Sequence, residues 1–383
     1  MRFVVFGLTI SSSWGNGHAT PWRGLCRALS ARAHRVVFFE RDVPYYAAHR
    51  DAASPEGCDL RLYAQWSDVA PDAARALENA DVAIITSYCP DAQAASELTL
   101  ASGVPLKLFY DMDAPVTLDR LARGEVVDYL PREGLAPFDL VLSFTGGEAL
   151  EALRTRLGAR AVAPLYGSVD PLVHRPVNCG NAPRFDLTYL GTYAEERQQA
   201  LDELFIEPAR RRSAKRFALA GSLYPATGFP WQPNMFYLGH QPPPEHPVFY
   251  SRSDLTLNVT RAPMAAMGSC PSGRLFEAAA CGTPVVTDWW EGLDQFFEPG
   301  REILVARSAD DVTAALDLDP EERRRIGSRA RQRALAEHSA QVRANELVTI
   351  VRDHVGHHSG GGAGQSHAAA RVFEGTAAGR QPL

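Results

Sequence analysis

The stretch Cys270-Pro-Ser-Gly-Arg-Leu-Phe-Glu-Ala-Ala-Ala-Cys-Gly-Thr-Pro-Val-Val-Thr-Asp288 decides how the chain is read. Ser272 is a helix-capping residue, because its hydroxyl can accept a bond from an otherwise orphaned first-turn amide. The Ala-rich run behind it favours helix, Gly282 ends the helix, and Pro284–Thr287 is a short apolar run suited to a buried strand. A helix feeding a buried strand is half of a βαβ unit, the building block of parallel sheets. The capped helix start also offers an anion site. Gly273 allows close approach and Arg274 adds a charge, so the set suits a diphosphate. Glu277, one turn further in, cannot help bind phosphate, yet its carboxylate can accept two hydroxyl bonds from a ribose beside the helix. The same residues would equally make an ordinary helix packed on a sheet.

Outward from this block the pattern repeats. Short apolar runs predict strands at 3–8, 35–40, 59–63, 82–87, 106–110, 140–144 and 162–166, with helices near 21–32, 71–79, 91–102 and 148–158 between them. Asp170–Arg184 contains three prolines and an Asn-Cys-Gly-Asn run, and marks a domain boundary. A second series follows, with strands at 187–191, 217–220, 236–238, 255–259, 284–287 and 303–305. Its helices are expected at 194–204, 272–281, 293–297, 309–316, 321–337 and 340–353, and 221–234 reads as a long surface loop. We therefore expect an α/β chain of two doubly wound Rossmann-like domains facing a central cleft. The first spans 1–170, a linker 171–184, and the second 185–339. A helix at 340–356 packs back on the first domain, and 357–383 is a Gly-, Ala- and His-rich disordered tail. In such sheets ligands sit beyond the carboxyl ends of the strands.

Length and composition agree with two cores. The chain has 383 residues, 45% of them hydrophobic and 22% charged, and one core seldom grows past about 250–300 residues. With 39 Lys and Arg against 45 Asp and Glu the net charge is −6. That disfavours a nucleic-acid or anionic-membrane partner, which needs a positive field. No apolar run reaches the roughly 18 residues of a membrane span, and Phe3–Ile10 reads as a first strand rather than a secretory signal. The six scattered cysteines have no paired spacing and read as reduced thiols of a cytoplasmic protein.

Three further groups carry chemistry. Trp14-Gly-Asn-Gly-His18 follows the first strand and sets a glycine loop and an imidazole at the sheet edge. His18 there serves the site or simply bonds a loop carbonyl. Asp111-Met-Asp113 has the spacing of a divalent-metal motif, but no further ligands are evident nearby. We read the pair as facing the cleft to bind acceptor hydroxyls, with a turn or capping role as the bland alternative. Trp289-Trp290 and Phe296-Phe297 either wall a pocket or pack in the core. The arginines of 321–333 alternate with acids at helical spacing and read as a solvated face.

At this point the chain resembles a known group. The block Ser272–Asp288 with Gly292-Leu293 resembles the second-domain signature of group 1 (family 4) glycosyltransferases of GT-B fold. The strings Tyr110–Leu118, Tyr189–Tyr193, Leu257–Arg261 and Arg274–Gly282 are similar to its CgeB/YkvP-type branch, over roughly 100–310. The resemblance implies a retaining glycosyltransferase. Its second domain would bind a nucleoside-diphosphate sugar, UDP ahead of GDP or dTDP, and its first a glycan, lipid or protein acceptor. It implies no cofactor and no metal. Donor binding would fall to Gly17, Gly191, Thr192, Arg197, Arg261, Ser272, Gly273, Arg274, Glu277 and Gly292, acceptor binding to Asp113, and catalytic positioning to His18 and Asp111. Family 4 enzymes carry a further glutamate eight residues before the one matching Glu277; here that position is Ser269. Nucleotide-sugar epimerase or hydrolase chemistry, or non-catalytic sugar binding, are the alternatives on the same fold.

Overall fold

The computed structural model describes residues 1–359. The first series forms β1 (Arg2–Gly7), β2 (Arg35–Arg41), β3 (Asp59–Tyr63), β4 (Val82–Thr86), β5 (Leu106–Asp111), β6 (Leu140–Ser143) and β7 (Val162–Pro164). All seven lie parallel in the order β3-β2-β1-β4-β5-β6-β7. The central strands are buried on both faces, which is why β4 (VAIIT) reads as an unbroken apolar run.

The second series forms β8 (Phe185–Leu190), β9 (Phe217–Ala220), β10 (Met235–Tyr237), β11 (Ser253–Asn258), β12 (Val285–Thr287) and β13 (Leu304–Val305). They too are parallel, in the order β10-β9-β8-β11-β12-β13. Each sheet reverses its strand order beside its first strand, between β1 and β4 and between β8 and β11. A doubly wound sheet opens a crevice for ligands at that point.

Helices cover both faces. Helix Ala114–Ala122 starts two residues after β5 and was not expected from the sequence; Pro115 sits in its first turn, where a missing N–H costs nothing. The predicted helix 194–204 is instead a mixture: a 3₁₀ turn at Glu195–Arg197, an α turn at Gln198–Leu201 and a π turn at Asp202–Ile206.

The chain crosses between domains at two adjacent points. Val169 N–H donates to His338 O, and Ala340 N–H donates to Val169 O. Helix Ala340–Ser359 then lies on helix Ala19–Ser30 of the first domain. Ala340, Ala344, Leu347, Val348 and Val351 enter the first-domain core beside Trp22, Leu25 and Leu29. This helix runs past the expected end, since a single glycine, Gly356, is tolerated within it. The remainder of the expected tail, 360–383, lies outside the described residues. Among the described residues no helix is long and apolar enough to cross a membrane.

Candidate functional site

The loop after β1 is fixed from beneath by Glu40, which is fully buried. Its carboxylate accepts bonds from Ile10 N (2.7 Å), Ser11 N (3.0 Å), Ser11 Oγ (2.6 Å) and Thr9 Oγ1 (2.9 Å). Asn16 Oδ1 then accepts from His18 N at 3.0 Å and Ala19 N at 3.2 Å, so Asn16 ties down the loop where the following helix begins. His18 is thereby held at the sheet's carboxyl edge, where its Nε2 meets Asp113 Oδ2 at 2.7 Å. Its Nδ1 is buried without a partner. Burial works against the Asp113 charge, but the hydrogen bond from His18, its charge and the Arg261 guanidinium hold the carboxyl below its ordinary range.

Asp111 sits differently. It is completely buried, its Oδ1 accepts from Asp113 N at 2.9 Å and its Oδ2 has no partner. Burial pushes its carboxyl up to about 7, against the bond from Asp113 N–H and the His18 charge. The two aspartates therefore do not converge: Asp113 faces His18 and Arg261, and Asp111 lies below it in the fold. As a metal motif the pair does not fit, since the bonds made to each carboxylate point it elsewhere.

In the second domain Ser272 caps helix Gly273–Ala280 through Oγ, which accepts from Arg274 N. Arg274 is drawn inward: Nη1 donates to Asn258 Oδ1 at 2.6 Å and the guanidinium lies 5.2 Å from the Tyr189 ring centre. Gly191 is required beside it, because a Cβ there would come within 2.9 Å of the Arg274 guanidinium and 2.8 Å of the Tyr189 hydroxyl. Arg197 donates to Thr192 O at 2.5 Å. Arg261 reaches Glu196 at 2.6 Å and, across the cleft, Asp113 at 3.8 Å.

Glu277 is buried and faces His246 Nδ1 at 3.5 Å. Burial opposes its charge, but the His246 bond and the charges of His174, His246 and Arg274 outweigh it and hold the carboxyl down to about 2. His174, in the linker, packs against His246 with a ring nitrogen contact of 3.1 Å. Burial lowers His174 to about 4.

These parts enclose a cleft cavity of about 580 Å³, the size of a small-ligand site. Gly17, His18 and Asp113 line it from the first domain. Gly191, Thr192, Arg197, Arg261, Ser272, Gly273, Arg274 and Glu277 line it from the second. Asp111 and Gly292 are not among the lining residues. Gly292, at φ 86°, instead begins a short turn, and a Cβ there would meet Ser269 Oγ at 2.9 Å. Ser269 holds a left-handed φ of 44° at the domain boundary: its N–H donates to Glu291 O and its carbonyl accepts from Gly146 N. Trp290, Phe296 and Phe297 pack in the second core with Phe276. Sequence reading missed Tyr88, Tyr193, His240 and His246 on the cavity wall. Tyr88 and His240 lie in loops and His246 opens helix His246–Ser251, none of them in a motif, while Tyr193 ends the Tyr189–Tyr193 string without having been singled out.

The two facing doubly wound sheets, with the cavity at both strand-order reversals, decide the architecture. The fold is GT-B. Residues 197–349 match the family described as glycosyl transferase-like. Among curated proteins none matches the chain. Solved GT-B structures are similar in shape at low identity. The sucrose-phosphate synthase of Thermosynechococcus elongatus has a TM-score of 0.64 at 14% identity, covering 92% of this chain and 98% of that one. Anabaena HepE, solved with UDP and glucose, has a TM-score of 0.63 at 14% identity, covering 92% and 99%. A candidate UDP-N-acetylglucosamine 2-epimerase of Listeria monocytogenes has a TM-score of 0.55 at 15% identity, covering 93% and 96%.

Proposed function

We propose that the chain is a CgeB-like, family 4 glycosyltransferase acting in the cytoplasm. It moves a sugar from a nucleoside diphosphate, UDP ahead of GDP or dTDP, to a hydroxyl acceptor with retention. One observation carries this reading: Arg197, Arg261 and Arg274 gather with a capped helix start and the buried carboxylate of Glu277 on one wall of the cleft, opposite the His18–Asp113 pair. The HepE structure with UDP and glucose supports a uridine donor for this architecture.

The chemistry is chiefly electrostatic. As the bond between the sugar and the diphosphate breaks, charge builds on the departing oxygen, and the helix start with the arginines stabilises it as an oxyanion hole would. Arg261 is partly neutralised by Glu196 and Asp113, so an incoming diphosphate competes with these two carboxylates for it. Glu277 accepts the ribose hydroxyls. In a same-face displacement the leaving phosphate oxygen takes the acceptor proton while the acceptor oxygen bonds to the sugar carbon. His18 and Asp113 hold that acceptor, and Asp111, through its bond from Asp113 N–H, fixes the loop that presents it. The bonds already made to Asp111 and Asp113 support turnover without magnesium at this pair.

The test is to incubate the chain with a panel of nucleotide sugars and acceptors and follow nucleoside diphosphate release. Release that depends on a second substrate is expected. The likeness to the Listeria protein favours epimerisation as the second reading; isomerised donor without any acceptor would establish that one instead.

A further inference from the structure

We propose that His174, His246 and Glu277 form a binding site for one divalent transition-metal ion of the zinc class, separate from the Asp111-Met-Asp113 pair and not required by the donor-binding reading. The three residues come from the linker, the start of helix His246–Ser251 and the middle of helix Gly273–Ala280. Each is buried, at 1%, 7% and 9% exposure.

The argument rests on where the lone pairs point. His246 Nε2 lies 3.1 Å from the carbonyl oxygen of Gln241. A carbonyl only accepts, so that nitrogen carries a hydrogen and the Nδ1 edge of His246 is the one turned inward. Facing it are a ring nitrogen of His174 at 3.1 Å and Glu277 Oε2 at 3.5 Å. Three potential ligand atoms thus converge out of water, where either a shared hydrogen or a metal ion can hold them together. The distances favour a metal: bonds of about 2.0–2.1 Å in a tetrahedral site put neighbouring ligand atoms about 3.4 Å apart. All three ligand atoms lie within 4.8 Å of one another, so the longest edge closes by a small turn of one side chain.

Two imidazoles with one carboxylate suit zinc rather than magnesium or calcium, which prefer all-oxygen sets. The Gln241 carbonyl on the far nitrogen of His246 is the outer partner that fixes a ligating ring. Arg274, the nearby cation, is turned toward Asn258. Glu277 Oε1 lies on the Gly273 side, so the carboxylate offers one oxygen to the ion and the other to the cleft. His246 and Glu277 both line the cavity, which leaves the fourth position open to it.

The test uses the full chain, stripped with a chelator and titrated with cobalt(II) without nucleotide. Because no nucleotide is present, failure here leaves the donor reading standing. One ion per chain is expected, with the visible bands of low-coordinate cobalt, displaced by zinc and unaffected by magnesium. His174→Ala and His246→Gln should each weaken binding by more than the roughly 10–100-fold that loss of an outer partner costs. A His357→Ala/His358→Ala control should bind as the parent does. X-ray absorption of the zinc-loaded parent should show nitrogen and oxygen neighbours, and this holds even if a variant fails to fold. A stripped parent chain that takes up no stoichiometric cobalt or zinc overturns the proposal. So does a sulfur neighbour, an ion lost with the control pair, or folded variants that bind like the parent.

Discussion

Glu277 concentrates the residue-scale argument, because a buried carboxylate held ionised beside a capped helix start is suited to accept hydroxyl bonds from a ribose. Glu277→Gln keeps the shape and removes the charge. It should weaken UDP binding by about 1.5–3 kcal/mol, the worth of a hydrogen bond to a charged group, and calorimetric titration reads the loss directly. Asp111 gives a second prediction, in pH. Its carboxyl is raised to about 7 in the fold against about 3.9 when unfolded. The folded chain therefore binds the extra proton across that window. The resulting stabilisation is complete below about pH 4 and is lost as pH rises through about 7. Asp111→Asn has no such proton. Its stability relative to the parent should rise with pH across that window by up to about 1.4 kcal/mol per unit and then level off. Denaturant unfolding at several pH values checks this, and a flat difference would mean that the site leaves Asp111 charged.

At the scale of elements, the last helix makes the strongest statement, since it buries an apolar stripe in a core built by the opposite end of the chain. Leu347 is fully buried among first-domain residues. Leu347→Ala should cost about 2–5 kcal/mol, read as a lower melting temperature. The strands were legible from the sequence because parallel strands buried on both faces are written as apolar runs, as in Val82–Thr86 and Leu255–Val259. Helix Ala114–Ala122 was not, because it follows β5 with only Met112 and Asp113 between, and the Asp-Met-Asp spacing drew the reading toward ligands. Arg197 and Arg261 entered only through the family resemblance; Gly273 and Arg274 stood out because their residue types fit an anion at a helix start, and Glu277 because a carboxylate one turn further in suits a ribose. The gathering of His174, His246 and Glu277 did not. It joins a linker and two helices far apart in sequence, and only the packing of the second domain brings the rings together. Ser269 shows the same limit: its left-handed backbone and bond to Gly146 belong to the domain boundary, which no local pattern records.

At the scale of the molecule, two sheets meet with their strand-order reversals facing, and the chain crosses between them at Val169 and at His338–Ala340, side by side. That geometry lets the lobes share one cavity while the last helix ties them together. Arg261 reaching Asp113 spans the cavity itself, as does the contact of Ser13 Oγ with His240 Nε2. The claim on which the account turns is that this cavity holds a nucleoside diphosphate. A thermal unfolding series with UDP, GDP and dTDP tests it most directly, because a ligand at about 100 times its Kd adds about 2.7 kcal/mol of stability to the fold that binds it. The account predicts that UDP raises the melting temperature most and that the rise shrinks in Glu277→Gln. No shift with any of the three, or an undiminished shift in that variant, would contradict it.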